Sequence, residues 1–206
     1  MRVKTEAKRD AIVKAASEVF LASGFEGASM AEIAARVGGS KATLYGYFSS
    51  KEELFVEVTL GAARKHIEPI FASLAGEHDD MEQTLRRFGE KTLVWLCMNS
   101  SIQARRAIIA ESGRSGIGLR FFEGGPKKGQ EELARFLELQ MDKGRLRRAP
   151  PLVAARHLTA LLESETVTPL LYGIEKKQSR TQVRQAVDRA VEAFLAGYAS
   201  PAAKRG

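Results

Sequence analysis

The chain of 206 residues contains one cysteine, Cys97, so it can form neither an intrachain disulfide nor a zinc site built on cysteines. It has no uninterrupted run of about eighteen apolar residues, which excludes a membrane-spanning helix of ordinary length. Residues 1–9 are polar and basic and have no apolar centre, so they do not read as a signal peptide. These absences suit a protein of the reducing cytoplasm with no membrane partner.

Motifs of enzymes, metals and cofactors are also lacking. His66, His78 and His157 show no paired spacing of the kind that binds a metal. The chain has no G-x-S-x-G nucleophile motif and no G-x-x-x-x-G-K phosphate loop. The glycines of 113–118 follow no strand, so we interpret them as a loop. The sequence therefore predicts a protein that is not an enzyme and has no cofactor.

The charge balance gives a first positive indication. The chain carries 32 Lys and Arg against 25 Asp and Glu, a net charge of +7. Such a balance fits an anionic partner, with nucleic acid first and an anionic membrane surface second. Many soluble proteins share it, so composition alone does not choose between them.

Helical periodicity dominates the chain, and no segment shows the alternation of a strand. We predict an all-α fold of about nine helices. In the first helix four apolar residues share one face, and Gly24 ends it. These four are Ile12, Ala16, Val19 and Phe20. An S-x-x-E capping box at 29–32 opens the second helix, and a second box at 50–53 opens a long helix that runs toward Pro69.

Further helices follow to the end of the chain. Asp79 and Asp80 introduce one, 102–111 forms another, and 119–123 forms a short helical turn. A helix from Pro150-Pro151 is predicted to kink at Pro169, and a last helix carries apolar residues to Tyr198. We predict a small N-terminal domain at 1–50, a larger helical domain at 51–200, and a disordered tail at 201–206.

The segment between the first two boxes has the requirements of a helix-turn-helix. Ala34 is small enough for two helices to cross, and Gly38 tolerates the positive φ of the turn. Ile33, Val37 and Leu44 have the spacing that locks the two helices together. Ser40 can then cap the third helix.

The outward residues of that third helix suit a DNA groove. They are Lys41, Ala42, Thr43, Tyr45, Gly46 and Tyr47. Lys41 can bond guanine, Ala42 and the Thr43 methyl can contact thymine methyls, and the tyrosine hydroxyls suit phosphates. Amides near Ser29 and Lys51 can bind phosphate at helix starts. The alternative is a plain helical hairpin with both tyrosines packed inside, which two hydroxyl-bearing aromatics on a small polar helix argue against.

The stretch 25–55, above all S-K-A-T-L-Y-G-Y-F-S-S-K-E-E-L-F, closely resembles the TetR/AcrR family of bacterial transcriptional regulators. The resemblance covers about a quarter of the chain and implies three N-terminal DNA-binding helices before a ligand-binding and dimerisation domain. It assigns DNA contacts to Ser29, Ser40, Lys41, Thr43, Tyr45, Tyr47 and Lys51. Gly39 and Gly46 depart from the family's valine and from its larger DNA-contacting side chain, which predicts fewer side-chain contacts.

The resemblance further implies a homodimer on double-stranded operator DNA, in most relatives a repressor released from a palindromic operator by a small molecule. Activation stays open. The alternative is a helical ligand- or partner-binding protein that no longer binds DNA specifically.

Basic residues at the N-terminus allow an additional contact. Arg2, Lys4, Lys8 and Arg9 could form an arm that reaches an adjacent minor groove or phosphates. A solvated basic tail is the equal alternative.

The segments 121–126 and 144–146 are similar to C-terminal domains of the AefR-like type. This similarity implies dimerisation through the last two long helices, for which the apolar candidates are Leu158, Leu161, Leu162, Val183, Val187, Val191 and Phe194. An effector pocket between the middle helices has as candidates Phe88, Trp95, Met98, Phe121, Phe122 and Phe136, with Glu163 or Glu165 as polar anchor. Each set could instead be ordinary core.

Overall fold

The computed structural model describes residues 5–74 and 80–201. Within these residues the chain forms eleven helices and no strand, and one isolated antiparallel bridge joins Leu146 to Ala199. The predicted all-α class is confirmed. The helices are α1 Glu6–Gly27, α2 Met30–Val37, α3 Lys41–Tyr47, α4 Lys51–Ala72, α5 Met81–Leu96, α6 Asn99–Ser112, α7 Ile117–Gly124, α8 Pro126–Asp142, α9 Pro151–Ser164, α10 Val167–Tyr172 and α11 Arg180–Tyr198. None of them combines the length and the apolar character needed to cross a membrane.

The structure has more helices than the sequence predicts, for two reasons. The predicted turn at 119–123 is a full helix, α7. The predicted kink at Pro169 is a break, because α9 ends at Ser164 and α10 begins at Val167. Pro169 then lies in the first turn of α10, where its missing N–H costs no intrahelical hydrogen bond.

Side-chain caps fix where several helices begin. The Oγ atoms of Ser29 and Ser40 accept from the amides of Glu32 and Thr43, each at 3.1 Å. Asp80 caps α5, and Ser179 with Gln182 forms a reciprocal capping box at α11. Asp79, the other acid predicted at the start of α5, lies outside the described residues.

The helices form two compact units. The first unit is Met1–Arg64 with Gln103–Gly124, and the second is Lys65–Ile102 with Gly125–Gly206. The predicted boundary after residue 50 does not coincide with this division, because Leu54 and Phe55 of α4 and Ile117 of α7 pack into the same cluster as the first three helices. Of the predicted tail, Pro201 alone lies within the described residues.

An aromatic group anchors the core of the first unit. The ring centroid of Phe55 lies 5.0 Å from that of Phe20 and 4.8 Å from that of Phe25. Such pairs stabilise a core by about 0.5–1.5 kcal/mol beyond their buried area. Gly24, with φ 68°, bends the chain between Phe20 and Phe25, so the predicted end of α1 is a sharp kink.

The core of the second unit lies among α5, α8, α9 and α11. Gly89 of α5 makes this packing close, because a Cβ there would lie 2.9 Å from Leu162 of α9 and from Val187 of α11. Six of the predicted dimer residues are buried in this core, and Leu161 packs partly buried against it. The six are Leu158, Leu162, Val183, Val187, Val191 and Phe194. Their assignment to a dimer surface is therefore corrected: these side chains are already covered within one chain.

Candidate nucleic-acid interface

Two glycines shape the turn between α2 and α3. Gly38 adopts the left-handed conformation, with φ 68° and ψ 45°. Its N–H donates to the carbonyl of Ala35 at 3.1 Å, and that of Gly39 donates to Ala34 at 3.0 Å. This is the Schellman arrangement, which satisfies the last carbonyls of α2 and reverses the chain before Ser40.

Buried side chains lock α3 onto α2. Ile33 and Ala34 of α2 are 0% and 3% exposed, and Leu44 of α3 is 2% exposed. Val37 packs partly buried against the same cluster. The predicted packing of a helix-turn-helix is therefore present, and it leaves the opposite side of α3 in solvent.

The exposed side of α3 carries most of the residues predicted to meet DNA. Lys41, Ala42, Tyr45 and Gly46 are exposed, with Tyr45 at 51%. Thr43 is half-buried, and its Oγ1 lies 3.0 Å from Ser40 Oγ in a hydrogen bond. A plain hairpin with both tyrosines inside does not describe this arrangement.

Tyr47 differs from Tyr45 in its surroundings. Its ring packs partly buried against the core of the first unit, and its hydroxyl accepts from the backbone N–H of Thr5 at 3.0 Å. Thr5 is the N-cap of α1. Tyr47 thus joins the end of α3 to the start of α1, and its predicted DNA contact stays a prediction.

Lys51 has acceptors inside the protein. Its ammonium donates to the carbonyls of Phe25 at 2.8 Å and Ala28 at 3.2 Å, and it lies 4.3 Å from the centre of the Phe25 ring. These carbonyls belong to the end of α1 and the link to α2. The side chain therefore holds the start of α4 against the end of α1, and the DNA contact predicted for Lys51 stays a prediction.

The structure corrects the placement of Lys8 and Arg9 in an arm at the N-terminus. Both lie in α1, which begins at Glu6. The Lys8 ammonium donates to the Val37 carbonyl at 3.3 Å, at the negative end of α2. Arg9 pairs with Glu57 at 3.0 Å, which raises the pKa of the guanidinium, and Arg9 also lies over the Phe48 ring. Arg2 and Lys4, the other residues of the arm, fall outside the described residues.

The sequence analysis placed Glu53 in a capping box but missed the contact of its carboxylate with Ser49, at the junction of α3 and α4. Glu53 Oε2 accepts from the backbone N–H of Ser49 at 2.7 Å and from its hydroxyl at 2.5 Å. Arg120 of α7 lies 3.7 Å from Glu53 Oε1. The hydrogen bonds from Ser49, assisted by Arg120, lower the pKa of Glu53. The predicted capping box at 50–53 is present in one half: the Glu53 N–H donates to Ser50 Oγ at 3.1 Å, whereas the Glu53 carboxylate accepts from Ser49 instead of from Ser50.

The net positive charge lies mainly outside the helix-turn-helix. Residues 1–64 hold nine Lys and Arg and eight Asp and Glu, a net charge of +1. Residues 125–206 hold fifteen and nine, a net charge of +6. The excess of basic residues is therefore a weaker indication of DNA binding than the shape and chemistry of α3.

The structure divides the predicted effector residues between the two units. Phe121 and Phe122 belong to the first unit. The second unit holds Phe88, Trp95, Met98, Phe136 and Glu163. Phe88 is buried, with its ring centroid 5.7 Å from that of Phe71, whereas Met98 and Phe122 are each 37% exposed. The predicted pocket stays a prediction.

Glu165, the alternative polar anchor of the predicted effector pocket, forms an ion pair with Arg189. Arg189 Nε lies 3.1 and 3.0 Å from its two carboxylate oxygens, and this contact lowers the pKa of Glu165. Among the described residues, no group of three or more His, Cys, Asp or Glu side chains is arranged to hold a metal ion.

Two family models match the chain. The model for bacterial regulatory proteins of the tetR family matches residues 12–58, which contain α2 and α3. The model for the C-terminal domain of AefR-like transcriptional repressors matches residues 83–200, more than half of the chain.

Two proteins of known structure are similar to this chain over nearly all of its length. A TetR-family transcriptional regulator from Mesorhizobium loti MAFF303099 is 29% identical, covers 96% of this chain and all of its own, and superposes with a TM-score of 0.83. The Flavonoid-responsive Regulator FrrA is 28% identical with the same coverage and a TM-score of 0.75.

The HTH-type transcriptional activator FasR of Mycolicibacterium smegmatis is 38% identical over 73 residues, which are 35% of this chain and 32% of FasR. The match thus spans about a third of that curated relative. With a family model over more than half of its length, a second over the helix-turn-helix and similar structures over nearly all of it, the chain belongs to the TetR family of DNA-binding transcriptional regulators, which are not enzymes.

Proposed function

We propose that the protein is a cytoplasmic, homodimeric repressor that binds a palindromic operator and is released from it by a small molecule. The observation that carries this proposal is the exposed face of α3, with Lys41, Ala42 and Tyr45 in solvent and Leu44 buried beneath them. A recognition helix needs this combination, because it must be rigid on one side and free to enter a major groove on the other.

The residues at the starts of α2 and α3 and on the outer side of α3 have stated roles in the proposal. Lys41, at the start of α3, bonds guanine O6 or N7. Ala42 and the Thr43 methyl contact thymine methyls, and the Tyr45 hydroxyl bonds a phosphate. Ser29 and Ser40, both exposed, add phosphate contacts at the starts of α2 and α3.

A palindromic operator requires two copies of the recognition helix, α3, related by a two-fold axis. Because the apolar stripes of α9 and α11 are buried within the chain, we assign the dimer contact to the outward faces of these helices. On α9 this face carries Val153, 40% exposed, and the exposed Ala160. Two half-sites one helical turn apart then receive the two copies of α3.

Response to a small molecule follows from coupling between two sites. An effector lowers the affinity for DNA if it binds more tightly to a dimer whose two α3 helices do not match the spacing of the half-sites. By thermodynamic linkage, DNA lowers the affinity for the effector by the same factor. The similarity to FrrA, described as flavonoid-responsive, supports this class of regulation.

Repression is favoured over activation by the extent of the two similarities. The AefR-like repressor model covers residues 83–200, whereas the similarity to the activator FasR covers 73 residues. The alternative of a ligand- or partner-binding protein without DNA binding is disfavoured, since the exposed face of α3 is intact.

The test is a double substitution, Lys41→Ala with Tyr45→Ala. Both side chains are exposed, so we expect a folded protein of near-normal stability that loses about 100-fold or more in affinity for an operator duplex. A matched control, Lys176→Ala with Tyr172→Ala, removes an exposed lysine and a 79% exposed tyrosine from the second unit and leaves affinity unchanged. Gel shift with DNA from the protein's own promoter region, at two salt concentrations, measures the effect. Unchanged affinity in the first variant would contradict the proposal.

A further inference from the structure

Gly46 is an unusual residue for its place in the fold. It is the sixth of the seven residues of α3, between the exposed Tyr45 and the partly buried Tyr47. Glycine weakens a helix relative to alanine, because it has more backbone freedom to lose. In so short a helix this loss needs a compensating reason.

No such reason is found in the described part of the chain. Gly38 needs to be glycine because its φ is 68°, but Gly46 is not among the glycines with positive φ. Gly89 needs to be glycine because a Cβ would lie 2.9 Å from Leu162. A Cβ built on Gly46 meets no described atom within 4 Å. Neither backbone conformation nor packing therefore excludes a side chain at 46.

The surroundings of Gly46 show what the missing side chain leaves open. On a helix, residues four apart form a row on one face. Lys41 and Tyr45 form a row of long, exposed side chains. Ala42 and Gly46 form the adjacent row, also exposed, in which the backbone is nearly bare. On the face proposed to enter DNA, the row of Lys41 and Tyr45 thus projects far from the helix axis. The row of Ala42 and Gly46 projects very little.

We propose that the sugar–phosphate wall of the operator's major groove lies against the α3 backbone at Gly46, and that the absent side chain permits this approach. The inference rests on the proposed function and adds a positioning residue to it. Base edges meet the start of a recognition helix, where Lys41 lies, so Gly46 near its end is closer to the groove wall. The adjacent Tyr45 hydroxyl suits a phosphate of the same wall. A closer approach of the α3 backbone to the operator then compensates for the side-chain contacts that Gly46 cannot make.

The experiment compares Gly46→Ala with Gly61→Ala. Gly61 of α4 is a matched control, since its Cβ would also meet no described atom within 4 Å and its φ is not positive. Both substitutions raise Tm, by about 2 °C, because alanine favours the helix. Gly46→Ala lowers DNA affinity about 10-fold and Gly46→Leu lowers it further, while Gly61→Ala leaves it within about two-fold of the starting protein.

The probes are a duplex that the unchanged protein selects from a random-sequence library and an unselected duplex of equal length. Contact with the groove wall predicts that both affinities fall together, since phosphates carry no sequence information. A loss confined to the selected duplex would overturn the wall contact in favour of a base contact. Affinity that is unchanged or tighter in Gly46→Ala would overturn the inference and leave the proposed function standing. Failure of the unchanged protein to select any duplex would overturn both.

Discussion

Lys51 has contacts within the chain that its sequence interpretation did not include. The family resemblance assigns it a DNA contact, and its ammonium also donates to two carbonyls and lies over an aromatic ring. Both carbonyls belong to residues more than twenty positions earlier in the chain, so no local pattern indicates them. The residue therefore contributes to the stability of the first unit before any DNA is bound.

This role predicts a stability effect. We expect Lys51→Met to lower the free energy of unfolding by about 1–2 kcal/mol, because the carbonyls of Phe25 and Ala28 lose a charged donor while the aliphatic length is kept. Lys14→Met, at an exposed position of α1, serves as the control and changes stability by less than about 0.5 kcal/mol. Urea denaturation measures the stability of both variants. Equal stability would refute the contribution of the Lys51 hydrogen bonds to the fold of the first unit.

At the scale of the element, the junction of α3 and α4 depends on a carboxylate. Glu53 holds Ser49 through two hydrogen bonds, and Ser49 follows Phe48, the C-cap of the recognition helix. Arg120 supplies a weak ion pair from α7, since its side chain is 57% exposed and such pairs contribute less than about 1 kcal/mol. The position of α3 is thus set from its own turn and from the start of the next helix.

The lowered pKa of Glu53 predicts a pH dependence. Because the folded state favours the carboxylate, its stabilisation is complete above the ordinary value of 4.5 and is lost as the pH falls below 4.5 through the lower folded pKa. We expect Glu53→Gln to be less stable than the unchanged protein at pH 6, with a difference that shrinks toward pH 3. Urea titrations across this range measure it.

Ser49→Ala provides the companion variant. It removes the hydroxyl donor and keeps the backbone donor, so it should weaken the pH dependence without abolishing it. A stability difference for Glu53→Gln that stays constant from pH 6 to pH 3 would show that the carboxylate's charge has no part in the junction.

At the scale of the whole molecule, the chain has two cores, and the second contains the stripes predicted for dimerisation. Leu158 and Phe194 are 0% and 1% exposed. Truncation of either to alanine would therefore act on folding, at about 2–5 kcal/mol. The dimer contact that we propose therefore uses the outward side of the same helices.

Ala160→Arg tests that assignment. Ala160 is exposed, so arginine costs the single chain little, but it places a charge and a long side chain in the proposed contact. We expect monomers by sedimentation and a large loss of affinity for a duplex with two half-sites, with unchanged helicity. Leu158→Ala is the inward control on α9, with lower stability and an unchanged association state at temperatures where it is folded. Dimers of Ala160→Arg as tight as those of the unchanged protein would exclude this face.

Local sequence patterns correctly predicted the start of α3 and the turn that precedes it. The cap at Ser40 and the turn at Gly38 are made by hydrogen bonds between residues at most five positions apart, so their spacing in the sequence suffices. The long-range contacts were missed for the opposite reason. Glu53 meets Arg120, and Tyr47 meets Thr5, across 67 and 42 positions, and periodicity carries no information over such separations.

The sequence by itself determined the family, the all-helical class and which residues of α3 share one face, because helix periodicity, caps and turn glycines act locally. Only the tertiary structure decided which apolar stripes are covered within one chain and which charged side chains already have partners. An apolar stripe reads the same whether its own chain or a second copy buries it. Lys51, Lys8 and the residues of α11 therefore acquired their roles when the helices packed.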